Sequence, residues 1–362
     1  MTGPPAATEV EVTLLGPGRG ESVVVHLGGG EWLIVDCCAS KAGGAAPLIY
    51  LDGIGVEPSS VRWLVASHWH DDHVRGFGQL VERCPRARVA QAAALERDEF
   101  LSLVVMADDL MVDGPSGVDE MRRTLGALAD SGRAHPEFVR ADQRLDLVAA
   151  SADGPGFELW ALSPSNESLA VALTDFANSG AAVDDSRRTV PRPHRNPSAV
   201  VLHVRVGDVS LLLGADLETD GSNERGWQAI VRSTGRPTQP AHFLKVPHHG
   251  SANAHDDAMW ADLLVADVHA GVTPFRGGRT SLPRESDKAR IAGRTPNAWL
   301  TRGSAVAGSP RRPNAVQRTL RETVRSIDVI SVDPGRVTMR CDAATPGRWV
   351  VDAPSPAERL TA

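Results

Sequence analysis

Ten residues, Ser67-His68-Trp69-His70-Asp71-Asp72-His73-Val74-Arg75-Gly76, constrain this chain more than any others. They place three histidines and two aspartates in six positions, directly after the apolar run Trp63-Leu64-Val65-Ala66. That run is short and partly β-branched, so it reads as a buried strand that delivers a ligand loop at its C-terminal end. His68 and His70 share one face of an extended segment, because side chains alternate with period two. Asp72 and His73 follow just past the strand and can turn toward a second point nearby. Neutral imidazoles with carboxylates are donors that Zn²⁺, Mn²⁺ or Fe²⁺ select. A solvated acidic loop with incidental histidines is the competing reading. The chain has only 12 histidines in 362 residues, however, so three in six positions are not background. The stretch is read as a metal site.

Three further stretches follow the same plan. Val23-Val24-Val25-His26-Leu27, a Gly28-Gly29-Gly30 turn and Trp32-Leu33-Ile34-Val35-Asp36 form a hairpin pattern that ends in an aspartate. Leu211-Leu212-Leu213-Gly214-Ala215-Asp216 is a strand ending in a carboxylate, and Leu244-Lys245-Val246-Pro247-His248-His249-Gly250-Ser251 is a strand ending in a histidine pair. The spacing His68-x-His70-x-Asp72-His73, with these stretches in this order, resembles the metallo-β-lactamase superfamily. The closing motif is similar to that of one branch, the soluble hydrolase domain of ComEC competence proteins. The resemblance covers roughly residues 10–275.

What the resemblance implies is an α/β fold, the four-layer αββα metallo-β-lactamase sandwich, with two divalent ions, Zn²⁺ first and Mn²⁺ or Fe²⁺ next. The first ion would take His68, His70 and a third ligand. His194 in Pro193-His194 stands where the superfamily places this histidine, Asn196 fits the ComEC-like version, and His135 is a weaker candidate. The second ion would take Asp72, His73 and one of His248 and His249, with His249 favoured as ligand and His248 facing substrate. Asp216 would bridge the ions and Asp36 would orient the ligand loop. Lys245, His248 and Ser251 are the expected substrate contacts, and Asp72 and His248 the expected catalytic side chains. Asp71 reads as an exposed or capping carboxylate rather than a general acid, and His203 as an exposed strand residue.

Function follows as a metal-dependent hydrolase that uses a hydroxide held between two ions. The ComEC-like motif favours a phosphodiester, either nucleic acid or a nucleotide, over a thioester or a lactam. A non-catalytic, metal-stabilised sensor or scaffold is the alternative reading. Residues 276–340 hold 14 Arg or Lys against 5 Asp or Glu, although the whole chain carries −7. Such a segment could face an anionic substrate, or pair with the acidic remainder of its own fold. No apolar run approaches the eighteen or so residues of a membrane span, and Met1 to Glu11 lacks a basic region followed by an apolar one. A cytoplasmic protein without membrane partners is therefore expected. Cys37, Cys38, Cys84 and Cys341 contain no CxxC pair and read as reduced thiols. One of Cys37 and Cys38, directly after Asp36, could lie near the metals and confer sensitivity to oxidation.

Residues 1–345 read as one domain. Ala92–Met106 is rich in Ala, Leu and Glu, and Ser116-Gly117-Val118-Asp119 resembles a capping box before an amphipathic run. Residues 92–150 are therefore expected to be a helical insertion near the site, or a surface for a protein partner. Residues 177–198 read as a long polar loop near the site, and residues 346–362 as a flexible tail.

Overall fold

The structure, a computed structural model, describes residues 1–18, 20–40, 43–96, 117–133, 135–181, 196, 198–277, 280–302, 316 and 334–361. Two eight-stranded sheets face each other. The first runs in the order β17 (Val350–Asp352), β16 (Gly335–Asp342), β1 (Glu9–Gly18), β2 (Gly20–His26), β3 (Trp32–Val35), β4 (Val61–Ala66), β5 (Arg88–Ala92) and β6 (Glu137–Val139). The second runs β18 (Glu358–Arg359), β15 (Ala298–Leu300), β12 (Leu264–Val272), β11 (Ala241–Lys245), β10 (Val209–Leu213), β9 (Leu202–Val206), β8 (Phe157–Ala161) and β7 (Gln143–Val148). A separate hairpin joins β13 (Phe275–Gly277) to β14 (Thr280–Leu282).

Alternation along each strand decides which residues fill the space between the sheets. In β10, Val209, Leu211 and Leu213 join the inter-sheet core with Val10, Val12 and Leu14 of β1, while Leu212 points outward. That outward face is covered by Trp227 and Ile230 of α6 (Gly226–Arg232), Met259 of α7 (Asp257–Asp262) and Ile291 of α8 (Glu285–Ala292). The first sheet is covered by α1 (Ala46–Gly53) and α3 (Phe77–Arg83), and α4 (Gly117–Asp130) packs on α3. This is the αββα sandwich. The sheets approach closely at Gly271 of β12, where an added Cβ would lie 1.9 Å from Leu14 Cδ1.

Two expectations about segments change. Residues 92–150 are not wholly helical: α4 is followed by β6 and β7, which close the free edge of each sheet. Val139 and Leu145 are the buried apolar residues of these two strands. Residues 97–116 lie outside the described residues, as do residues 278–279, 303–315 and 317–333 of the basic segment 276–340. The C-terminal residues are no flexible tail. β17 pairs with β16 and β18 with β15, Leu360 is buried, and its N–H donates to Ala298 O. Of the loop expected at 177–198, residues 177–181 are the last turn of α5 (Asn166–Ala181). Among the described residues no helix is long and apolar enough to cross a membrane.

His203 is buried on β9, not exposed, because the approach to β11 folds over it and Gln239 O accepts from its Nε2 at 3.1 Å. His26 is buried too, with Nδ1 2.8 Å from Glu9 O and Nε2 accepting from Gly30 N at 3.1 Å. Burial first, and nearby arginines second, push both imidazoles down to about 4 from 6.5. A depressed histidine contributes stability above its unfolded value, and that stability is lost as pH falls from 6.5 toward 4. His26→Gln, which cannot gain the proton, is expected to lose about 2 kcal/mol less than the parent between pH 7 and 5. Urea unfolding at the two pH values checks this, and parallel losses in both proteins would refute it.

Candidate metal centre

The candidate ligands come from four places that the topology brings to one end of the sandwich. β4 runs parallel to β3 and ends at Ala66, so Ser67 and His68 leave the sheet beside Asp36, which ends β3. His70 is the N-cap of a single helical turn, α2 (Asp71–Val74), which turns Asp72 and His73 back toward His68. β10, β11 and β12 are mutually parallel, so Asp216 after β10 and His248–His249 after β11 emerge at the same end. Ligand sites collect at the carboxyl ends of parallel strands for this reason. Among the described residues, four of the five non-glycine residues with positive φ are here: Asp36 at 61°, Ala215 at 43°, His248 at 46° and His249 at 53°. Side chains are disfavoured in that region, and strain of about 1–3 kcal/mol each persists where surroundings over-determine it.

Asp216 Oδ2 is the centre of the cluster. It lies 3.3 Å from His73 Nε2, 3.7 Å from His249 Nε2, and 4.0 Å from both His68 Nε2 and His248 Nε2. Asp72 Oδ2 lies 3.4 Å from His249 Nε2 and 3.9 Å from His73 Nε2. The His68 and His70 rings meet edge to face with centroids 4.8 Å apart. Behind these atoms, Asp36 accepts from Ser67 N, Ser67 Oγ and His73 Nδ1, each at 2.7 Å. His249 Nδ1 lies 2.9 Å from Thr273 O. Each Nδ1–H is thus occupied from behind, which fixes the tautomer that presents Nε2 to the centre.

Ligation requires donor atoms without other partners, and this structure supplies them. His68 Nε2, His73 Nε2, His249 Nε2 and Asp216 Oδ1 are buried with no hydrogen-bond partner among the described residues. Buried polar atoms left this way are rare and costly. Asp72, His73, Asp216 and His249 offer four donor atoms within 4.8 Å of one another. The electrostatics agree. Burial alone would depress His249, yet Asp216, Asp72 and Glu21 outweigh it and raise the ring to about 10. His73 is raised well above its ordinary value against burial by Asp216 and Asp36. His68, which burial and the neighbouring rings depress, stays neutral. The carboxylates demand positive charge at this point, and divalent cations fit that demand.

A sequence model of the Metallo-beta-lactamase superfamily matches residues 15–259, more than half of the chain. The chain belongs to that superfamily. Its members are generally metal-dependent hydrolases, and Asp72, His73, Asp216 and His249 form a cluster that could hold a metal ion. Among solved structures, the chain is similar to the metallo-β-lactamase fold protein YhfI of Bacillus subtilis, at 13% identity, 81% of this chain, 95% of that one and a TM-score of 0.42. It is also similar to a Cronobacter sakazakii metallo-β-lactamase with a HARLDQ motif, at 18% identity, covering 64% and 73% with a TM-score of 0.32. The Rm3 metallo-β-lactamase matches at 13% identity, covering 67% and 78% with a TM-score of 0.33. A search of curated proteins finds no match.

Within this superfamily centre, the structure brings together His68, His70, Asp72, His73, Asp216 and His249, with His248 beside them. His248 is 20% exposed at the mouth, and Ser251 is half-buried at the end of its turn. Asn196 donates from Nδ2 to Asp216 Oδ2 at 3.5 Å, while His194 lies outside the described residues. His135 is exposed. Asp71 accepts from Gly117 N and so caps α4, although Ser116 of the expected capping box is outside the described residues. Cys37 donates its N–H to His73 O, but both Cys37 and Cys38 are buried and burial pushes the Cys38 thiol up to about 12. That removes the thiolate that oxidation needs.

Lys245 requires the largest revision. It is 1% exposed, with Nζ paired to Glu21 and 3.3 Å from Ala215 O, so it lies beneath the cluster and faces no substrate. Its place at the end of a buried strand points the side chain into the sandwich. Glu21 itself was not among the expected site residues. The signal was a lone carboxylate directly after Gly20, entering an apolar strand, which few solvated residues do. Gly20 has φ 101°, and a Cβ there would lie 2.0 Å from Asp72 O, so only glycine lets this strand start pass under the ligand loop.

Proposed function

We propose that this chain is a two-metal phosphodiesterase. The observation that carries the reading is Asp216 Oδ2, placed 3.3–4.0 Å from the Nε2 atoms of four histidines, where one oxygen can serve two ions. His68 and His70 would hold one ion, with Asn196 or His194 nearby, and Asp72, His73 and His249 the other. A nitrogen-rich set with two carboxylates suits Zn²⁺ first, then Mn²⁺ or Fe²⁺. When bound, such ions supply a nucleophile from water near neutral pH and Lewis-acid bracing of the scissile group. Against four units of positive charge the set offers only Asp72 and Asp216, and the excess favours an anionic substrate over a neutral thioester or lactam. The similarity of Lys245–Ser251 to the ComEC hydrolase motif supports the same substrate class.

His248 is suited to move the leaving-group proton. Its Nδ1 lies 3.0 Å from Asn253 Oδ1 and 3.4 Å from Glu218 Oε1, so Nδ1–H donates there and Nε2 faces the centre. Burial, ahead of the charges around it, lowers this imidazole below its ordinary value, which favours release of a proton. The test is turnover of a chromogenic phosphodiester, single-stranded DNA, RNA and a cyclic dinucleotide, before and after chelation, with a β-lactam and a thioester as controls. Diester cleavage that chelation abolishes is expected. If the substrate is a nucleic acid, rising salt should suppress turnover steeply, because each phosphate contact releases counterions. Turnover of the lactam or thioester with every diester untouched would overturn the reading.

A further inference from the structure

One buried ion pair ties together every segment that carries a ligand to the second ion. Glu21 is 2% exposed, and the mechanism above does not use it. Its Oε1 pairs with Lys245 Nζ and lies 3.8 Å from His73 Nδ1. Its Oε2 lies 3.3 Å from His249 Nδ1 and accepts from Thr273 Oγ1. Lys245 in turn donates to the carbonyl of Ala215, the left-handed residue just before Asp216. The pair therefore touches the backs of two imidazole ligands and the turn that sets the central carboxylate. The lysine neutralises the glutamate, and the carboxylate is brought down to about 2 because the Lys245 ammonium and His249 outweigh burial.

We infer that Glu21 and Lys245 are a positioning pair that sets the affinity of the ion held by Asp72, His73 and His249. Outer carboxylates of this kind hold the ligand nitrogen in the right tautomer and ring orientation, and losing one costs 10- to 100-fold in metal affinity as a rule. The pair adds a signed charge effect to that orientation. Removing Glu21 alone leaves an uncompensated ammonium within a few ångströms of the cation site. Removing Lys245 alone leaves an uncompensated carboxylate there.

Co²⁺ titration of the full chain, followed by its visible d–d absorption and by calorimetry, separates these contributions without turnover. Two binding steps are expected in the parent. Glu21→Gln is expected to weaken one step about 10- to 100-fold and to leave the other, at His68 and His70, within about threefold. Lys245→Met is expected not to weaken that step, while altering its d–d bands because the carboxylate is no longer held. The double variant should fall between the two. If Glu21→Gln does not fold, the double variant against Lys245→Met reads the same loss of the carboxylate, with no stranded cation. Equal weakening in Glu21→Gln and Lys245→Met, or of both steps together, would mean a merely structural pair and would overturn the inference. So would an unchanged titration in Glu21→Gln. A parent that binds no Co²⁺ would instead sink the metal-centre reading itself.

Discussion

Asp216→Ala is expected to yield a folded protein that has lost turnover by at least about 10³-fold and holds fewer than two ions per chain. The reason is the position of Oδ2, within 4.0 Å of four imidazole nitrogens from three segments. Asn196 is the other described side chain at hydrogen-bond distance, and an amide cannot replace the charge. The fold should survive, because the inter-sheet core of Leu211, Leu213 and Phe243 does not involve this side chain. His73 also keeps Asp36 at 2.7 Å as a partner. Elemental analysis, circular dichroism and the diester assay on one preparation check the three parts. Wild-type turnover in the variant would remove Asp216 from the centre of the mechanism.

Metal uptake at pH 7 is expected to expel about two protons, from His73 and His249. In the metal-free chain both imidazoles are raised, His249 to about 10, so both are protonated at neutral pH and must become neutral to ligate. Asp72 and Asp216 are held below their ordinary values, His249 and His73 outweighing burial, and release none. Below these raised values each proton costs about tenfold in apparent affinity per pH unit, so two cost about a hundredfold. Calorimetry in buffers of different ionisation heat counts the protons, and competition with a chelator at pH 6, 7 and 8 gives the slope. An affinity flat across that range, with no proton release, would show that these two histidines are not ligands.

The sequence by itself determined the ligand loop, the strands that deliver it and the family to which they belong. His68, Asp72 and His73 stand next to a strand whose apolar run is unmistakable, and side-chain alternation places them without further information. Asp36, Asp216 and His249 were legible for the same reason, each ending its own apolar strand. Tertiary structure decided everything that depends on which strands neighbour one another. Glu21 and Lys245 lie more than two hundred positions apart, and only the closure of one sheet over the other makes them partners. That closure turned Lys245 from a substrate contact into a buried cation. It also buried His203 under the approach to β11, and recruited the C-terminal residues as edge strands. Local patterns encode which face a side chain takes. They do not encode what the opposite sheet presents to it, because that is set by contacts between residues remote in the chain.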